Sequence, residues 1–427
     1  MSILNAMYSG VSGLSAEGEA LGVVGDNVAN TNTVGFKQSR AVFEDILGSA
    51  VGSNNAIGSG VRMERAQQIF AQGTLLNTSQ PTDMALSGDG FFVVKGSVSG
   101  TTGDFYTRAG QTTLRQDGTL VNPQGLEFQG YAANPDGTFQ AGLSGIKVPT
   151  AALAPKTTSK MSMTANLDSN ATTPTAAWDP QNPGPTSNFS TSMKVYDSLG
   201  NGHSADVYFR KTGAGTWDYH TVVDGADVAG GTPGQKVDIG SGSLTFNTAG
   251  GLQTTTGSVT ANFAGAAPNQ AIALDFGSPI AAGGTGMGGT TQFGSTSNVS
   301  AQSQDGYASG DLSGIKIDSD GTVKGIYTNG EQLAVSKLAV AKFRSNDGLG
   351  RAGQNCWIAT RESGEAALGS ASSGGRAAVV SGSLEQSNVD ISAQFVELIS
   401  HQRSFQANSK TISTANDMLQ EVINLKR

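Results

Sequence analysis

Residues 27–40 read Asn-Val-Ala-Asn-Thr-Asn-Thr-Val-Gly-Phe-Lys-Gln-Ser-Arg. Such a stretch can be a flexible linker, a polar loop carrying catalytic groups, or a joint held in one shape. Asn and Gly end helices and tolerate left-handed backbone. The segment is therefore expected to stop a preceding helix near Val28 to Asn30. Phe36 then offers an apolar anchor after the turn, and Lys37 and Arg40 offer polar contacts. What flanks the stretch, and what stands at the far end of the chain, chooses among the three readings.

Upstream, Leu4, Met7, Val11, Leu14, Gly18, Leu21, Gly25 and Val28 recur in alternating steps of three and four. That is the narrow seam of a coiled coil. Gly10, Gly13, Gly18, Gly22 and Gly25 interrupt the run, each costing about 1 kcal/mol in a helix relative to Ala. At the other end Ile391, Phe395, Leu398, Gln402, Phe405, Ser409, Ile412, Asn416, Leu419 and Ile423 follow the same alternation. No Gly or Pro falls between Asp390 and Arg427. Ser387, Asn388 and Asp390 are N-cap candidates, and Lys426 and Arg427 suit the negative end of the helix dipole. At about 1.5 Å per residue this helix is expected to be about 50 Å long.

A surface helix on a globular core shows a wider apolar stripe. The narrow seams predict that the two terminal helices pair as a coiled coil. The polar Gln402, Ser409 and Asn416, recurring at one seam position, set register and partner. A Gly-rich helix and a polar-seamed partner gain most of their stability from neighbouring copies.

Between the ends the period becomes two. Ala85 to Lys95 reads as strand, turn, strand. Asp117-Gly118-Thr119, Asp136-Gly137-Thr138 and Asp320-Gly321-Thr322 repeat one turn chemistry, with Gly supplying the positive φ that a tight turn needs. These turns lie on both sides of a segment opened by Pro149, Pro155, Pro174, Pro180, Pro183 and Pro185, as at a domain boundary. Ser192–Asp197, Ser204–Arg210, Thr216–Val223 and Ala271–Phe276 read as strands within it.

The expected fold is mixed and mainly β: a terminal helical coiled coil and two nested all-β domains, the second inserted into the first. The expected boundaries are 1–30 and 389–427 for the helical ends, 31–72 and 376–388 for connecting joints. The first β domain takes 73–148 and 298–375, and the inserted domain 149–297. Hinges are expected at Pro149, Thr150, Thr296 and Asn298.

Composition narrows function. Of 427 residues, 14% are charged and the formal net charge is −8, with no basic run for a polyanion. Nucleic acid is excluded as a partner on this reading. No window approaches the ~18 apolar residues of a membrane span, so no membrane insertion is expected. The N-terminus has no positive region before Lys37 and no continuous apolar stretch, unlike a cleavable signal peptide. Cys356, the single cysteine, reads as a small buried residue beside Trp357.

Catalytic patterns are wanting. Gly284-Thr-Gly-Met-Gly-Gly289 matches a dinucleotide fingerprint, but Thr-Thr-Gln-Phe-Gly-Ser after it opens no helix. Asp318-Ser-Asp320-Gly321 resembles the start of a calcium loop, yet Asn329 stands where a Glu is needed. The histidines His203, His220 and His401 sit in no metal or nucleophile motif. No catalytic, cofactor or metal site is expected, and the reading is not an enzyme.

At this point Asn27, Ala29, Asn30, Thr33, Gly35, Phe36 and Lys37 resemble the N-x-A-N-x-x-T-x-G-F-K signature of bacterial flagellar rod and hook proteins. Gly382 to Asp390 before the long helix, Asp83 to Phe92, and Tyr106 to Gly110 are similar to other parts of that family's core. Asn166 to Asn170 and Val195 to Gly200 resemble the domain found in hook subunits. The resemblance implies a structural subunit that assembles with itself into a curved hollow helical tube. Such a tube acts as a universal joint, passing torque from rod to filament. It implies export without a cleavable signal through the flagellar type III apparatus, an extracellular location in the hook, and no cofactor. Implied partners are the distal rod protein, the hook cap protein and the hook–filament junction protein. Leu4, Met7, Val11, Leu14, Leu21, Val28, Ile391, Phe395, Leu398, Gln402, Phe405, Ile412, Asn416, Leu419 and Ile423 then become subunit-interface candidates. A distal rod protein is the alternative within the family, though rod proteins lack the second domain. Rod and hook differ in stiffness, and the segment from about Gln38 to Gly73 is where that difference is expected; within it 48–60 reads as flexible. A secreted β-rich adhesin is the alternative outside it.

Overall fold

A computed structural model describes residues 3–47 and 58–424. The flexible reading of 48–60 falls mostly outside these residues, as do Lys426 and Arg427. The described chain is mainly strand, with long helices at Ile3–Ala29 and Ile391–Asn424. It divides into two units: Met1–Thr150 with Gly314–Ile326 and Gln332–Arg427, and Ala151–Ser313 with Tyr327–Glu331.

In the first unit, distant parts of the sequence interleave. Phe91–Val98 forms a hairpin with Thr101–Thr107 and also pairs with Glu127–Ala133. Gln332–Lys342, from beyond the second unit in sequence, adds to both: Val340 lies opposite Phe92 and Lys337 opposite Tyr131. Ala378–Ser381 pairs with Met84–Ser87, and Ser383–Glu385 with Leu75–Asn77. Alternation buries Phe91, Val93, Tyr106, Ala341, Phe343 and Trp357 in one cluster. Tyr106 and Phe343 meet edge to face with centroids 4.7 Å apart. Cys356 is buried here, and burial pushes its thiol up to about 11.

The repeated turns form as their sequence demands. Gly118, Gly137 and Gly321 have φ of 83°, 83° and 82°. In each, the Asp carboxylate accepts the Thr amide two residues on.

The second unit is one eight-stranded sheet. Its order is Phe189–Tyr196, Gly202–Gly213, Thr216–Asp224, Lys236–Phe246, Leu252–Ala261, Gln270–Asp275, Lys160–Asn166, Asn298–Gln304. Its inward residues, Trp217, Tyr219, Phe209, Phe276 and Met161 among them, form a single core.

The return boundary of this unit differs from the expected 297/298. Asn298–Gln304 runs antiparallel to Lys160–Asn166 and stays in the second unit, with Thr296 just before it; the chain leaves at Ser313/Gly314. Asn-Val-Ser-Ala-Gln-Ser-Gln is a nearly all-exposed edge strand, so no apolar alternation marks its membership. Pro149 and Thr150 do fall beside the first crossing, Thr150/Ala151.

Two of the three histidines lie in the second unit, each stacked on an aromatic ring and beside a carboxylate. His220 donates or accepts at Nδ1 with Asp238 at 2.8 Å and stacks on Trp178. His203 stacks on Phe263 between Asp197 and Asp227. Among the described residues no cluster of ligands could hold a metal ion, and no helix is long and apolar enough to cross a membrane.

Candidate functional site

The joint opened by Asn27 is built around buried polar groups. Asn27 lies in the last turn of the first helix and is fully buried. Its Nδ2 donates to the Ser39 carbonyl (2.6 Å) and to Gln394 Oε1 (2.8 Å). Its Oδ1 accepts the Ser39 amide at 2.8 Å. One side chain therefore ties together the first helix, the strand Ser39–Leu47 and the last helix. Asn30 Nδ2 returns to the Asp26 carbonyl at 2.9 Å, and Thr31 Oγ1 donates to the Val28 carbonyl at 2.8 Å. These bonds add side-chain donors to carbonyls of the last helical turn that also accept the Asn30 and Thr31 amides. Thr33 Oγ1 then donates to Asn30 Oδ1 at 3.0 Å. Ala29 is exposed and makes none of these bonds.

Gly35 is required by geometry. Its φ is +68°, and a Cβ there would stand 2.7 Å from the backbone of Arg108 and Ala109. Its amide donates to the Glu385 carbonyl at 2.7 Å. Phe36 is buried, as an anchor should be. Asn355 Nδ2 donates to the Val34 carbonyl at 2.6 Å.

Lys37 makes a polar contact, as expected, but in the interior: its ammonium is fully buried, 2.5 Å from Glu385 Oε1 and donating to the Ala71 carbonyl at 2.8 Å. Glu385 Oε1 also accepts the Gly73 amide at 2.9 Å, and Oε2 pairs with Arg108 at 3.2 Å. Arg108 donates to the Gly88 carbonyl at 2.7 Å and lies over the Phe91 ring. Burial pulls the Lys37 ammonium below its usual range, against the pull of Glu385 in the other direction; Arg108 adds to the lowering. Arg40, by contrast, is exposed and pairs with Gln67. Asn388 closes the joint from the C-terminal side. Its Oδ1 accepts the Gln38 amide (2.7 Å) and its Nδ2 donates to the Ile69 carbonyl (2.8 Å).

Glu385 and Asn388 fall within the expected joint segment 376–388, and Arg108 within the stretch Tyr106 to Gly110 that carries the resemblance, but sequence reasoning gave none of them, nor Gln394, its role in the joint; nothing local marks which residue faces Lys37.

The two long helices pack antiparallel. Asn27 meets Gln394, Glu17 meets His401 at 2.6 Å, and Gly13 and Gly10 face Asn408 and Ile412. On the first helix the contact uses a different face from the expected seam, whereas on the last helix the seam residue Ile412 faces Gly10. Gly10, Gly13, Ala16, Ala20, Val24 and Asn27 are buried; Met7, Leu14, Leu21 and Val28 are half-buried, and Leu4 and Val11 are each 50% exposed. On the last helix Gln394 and Ala415 are buried and Leu398, Ile412 and Leu419 half-buried. Ile391, Phe395, Gln402, Phe405, Asn416 and Ile423 are exposed. Small residues let the helix backbones approach closely, so the pair closes on its glycine and alanine face. The large apolar side chains are left outward. The last helix is capped as expected, with Asp390 Oδ1 accepting the Ser392 and Ala393 amides.

Residues 7–37 match the family described as Flagella basal body rod protein, which spans the first helix and the joint. Residues 85–166 match the Flagellar hook protein FlgE/F/G D1 domain, and 166–307 the Flagellar basal body protein FlaE D2 domain. Residues 380–425 match the Flagellar basal body rod FlgEFG protein C-terminal region. The Flagellar hook protein FlgE of Escherichia coli (strain K12) is 36% identical over 99% of this chain and 100% of its own length. That of Salmonella typhimurium (strain LT2) is 36% identical over 97% and 98%. That of Rhizobium meliloti (strain 1021) is 35% identical over the whole of both chains. The crystal structure of Helicobacter pylori flagellar hook protein FlgE2 is similar in fold, with a TM-score of 0.52 and 15% identity over 71% of this chain and 98% of that one.

Proposed function

This chain belongs to the flagellar hook protein family, and from that premise we propose that it is the repeating subunit of a curved, hollow hook tube passing torque from rod to filament. The protein is a structural subunit of the bacterial flagellum that polymerises with itself.

One observation carries the finer reading. The chain's own helix pairing leaves Leu4, Tyr8 and Val11 exposed on one helix, and Ile391, Phe395, Val396 and Ile399 on the other. A single long helix pair with this much outward apolar surface is incomplete alone. Neighbouring copies packed around it would bury those residues and line a central channel with terminal helices. The joint around Lys37 and Glu385 then fixes how each inner helix pair meets its first β unit.

Bending asks each subunit to change length as the tube turns. The chain crossings at Thr150/Ala151, Ser313/Gly314, Ile326/Tyr327 and Glu331/Gln332 are the places to absorb it, because hinge motion there leaves both cores intact. Thr296 and Asn298 lose that role, since they lie within the second unit. Export through the type III apparatus without cleavage, and contacts with distal rod, hook cap and hook–filament junction proteins, complete the reading. Catalysis has no part in it. Negative-stain electron microscopy of polymer grown from the purified chain tests it. Short curved tubes with a central channel are expected; straight rods would favour the distal rod alternative, and an absence of tubes would end both.

A further inference from the structure

The two units are wired differently along the chain. In the second, the six strands from Phe189–Tyr196 to Gln270–Asp275 stand side by side in sequence order, each antiparallel to the next. Lys160–Asn166 and Asn298–Gln304 then complete the sheet. The core of this unit lies wholly between Met161 and Phe276, and the later turn Tyr327–Glu331 contributes nothing to it. Contacts of this kind are mostly local, and local contacts form fast.

The first unit is the reverse. Its cluster packs Phe91, Val93 and Tyr106, from before the second unit, with Ala341, Phe343 and Trp357, from after it. Gln332–Lys342 pairs with Phe91–Val98 and Glu127–Ala133, and Cys356–Ile358 with Thr101–Thr107. The joint draws on the chain later still, because Glu385 ends the last strand of all.

The second unit also gathers its own entry and exit. The Leu153 amide donates to the Gly310 carbonyl at 2.8 Å, and Lys156 and Tyr307 exchange backbone hydrogen bonds at 3.0 and 2.9 Å. Asp305, 3.3 Å from the Lys156 ammonium, accepts the Ser159 and Lys160 amides as well.

We propose that the second unit folds first and serves as an internal clamp that brings the two halves of the first unit together. While 151–313 is unfolded, those halves are the ends of one long loop, and closing a loop costs more entropy the longer it is. Once the second unit is folded, the chain enters and leaves it on paired segments, and only a short stretch on each side remains to be closed. By that scaling the halves meet roughly a hundredfold more readily. The joint closes last, since Lys37 buried ahead of Glu385 would be an unpaired charge in the interior. The terminal helices are thereby fixed only on a chain that is complete to its C-terminal segment.

The test is refolding of the full-length chain, diluted from urea, with pulsed hydrogen exchange read peptide by peptide by mass spectrometry. Peptides from 189–275 are expected to gain protection first. Those from 91–133 and 332–342 should follow together, and those around Lys37 and Glu385 should come last. Trp217→Ala empties part of the second core, which contains no residue of the first unit. At a urea concentration that unfolds the second unit of this variant but not that of the unaltered chain, the first unit should gain protection at least about tenfold more slowly. Phe276→Ala is added if Trp217→Ala alone leaves the second unit folded. Glu385→Gln should leave the two earlier phases at their unaltered rates and weaken or remove the last. First-unit peptides protected with or before the second unit overturn the inference, as does an unchanged first-unit rate when the second unit is unfolded. Refolding is read on the single chain, so the inference stands or falls apart from the hook reading.

Discussion

Lys37 Nζ and Glu385 Oε1 stand 2.5 Å apart with both side chains fully buried, although 348 positions separate them in sequence. The same Glu385 accepts the Gly35 amide on its backbone carbonyl. One C-terminal residue thus holds both the turn and the cation of the N-terminal joint. Arg108, on the first β unit, completes the set.

Glu385→Gln leaves two buried cations without their counter-charge. Breaking a buried pair by removing one partner costs about 3–5 kcal/mol. Denaturant unfolding should show a loss of that order in the first unit. Replacing Lys37, Arg108 and Glu385 together with apolar residues of similar volume should recover most of it, because an uncharged core needs no pairing.

Two glycines should respond in opposite directions. Gly35→Ala places a Cβ against the Arg108 and Ala109 backbone at positive φ, and should destabilise the chain by more than about 1 kcal/mol. A Cβ on Gly22 meets nothing within 4 Å. Gly22→Ala should therefore stabilise the first helix of the monomer by up to about 1 kcal/mol. Thermal unfolding and helical circular dichroism of the two variants check both signs.

Acid should weaken the second unit through Asp305. Its burial works to raise the carboxyl, but the Ser159 hydroxyl and the Ser159 and Lys160 amides, with Lys156 nearby, hold it down to about 2. An unfolded Asp titrates near ~3.9. The folded value is depressed, so the contribution is complete above about pH 4 and is lost as pH falls toward about 2. Urea unfolding across that window should lose stability in the unaltered chain, and Asp305→Asn should show a shallower pH dependence.

Cys356 should be silent in the folded protein. With its thiol at about 11 and its side chain buried, it carries almost no thiolate near neutral pH. Alkylation followed by mass spectrometry should give no label on the native chain and full label in denaturant. Rapid native labelling would mean that the pairing of Cys356–Ile358 with Thr107 opens readily.

Local chemistry is written plainly in this sequence. The spacing of Asn27, Asn30, Thr33 and Gly35 announces a helix end and a fixed turn. The steps of three and four announce two helices, and Asp-Gly-Thr announces each hairpin turn. These depend on backbone preferences that a few adjacent residues settle by themselves. Three things needed the tertiary structure. Periodicity tells that a helix has a face but not which face meets which partner, so Gly10 to Val24 closed the pair while Leu4 and Val11 stayed outside. The polar strand Asn298–Gln304 has no apolar alternation, so only its hydrogen-bonded neighbour assigns it to a unit. Glu385 became the partner of Lys37 because folding brings two distant segments to one buried point, where an unpaired charge could not remain.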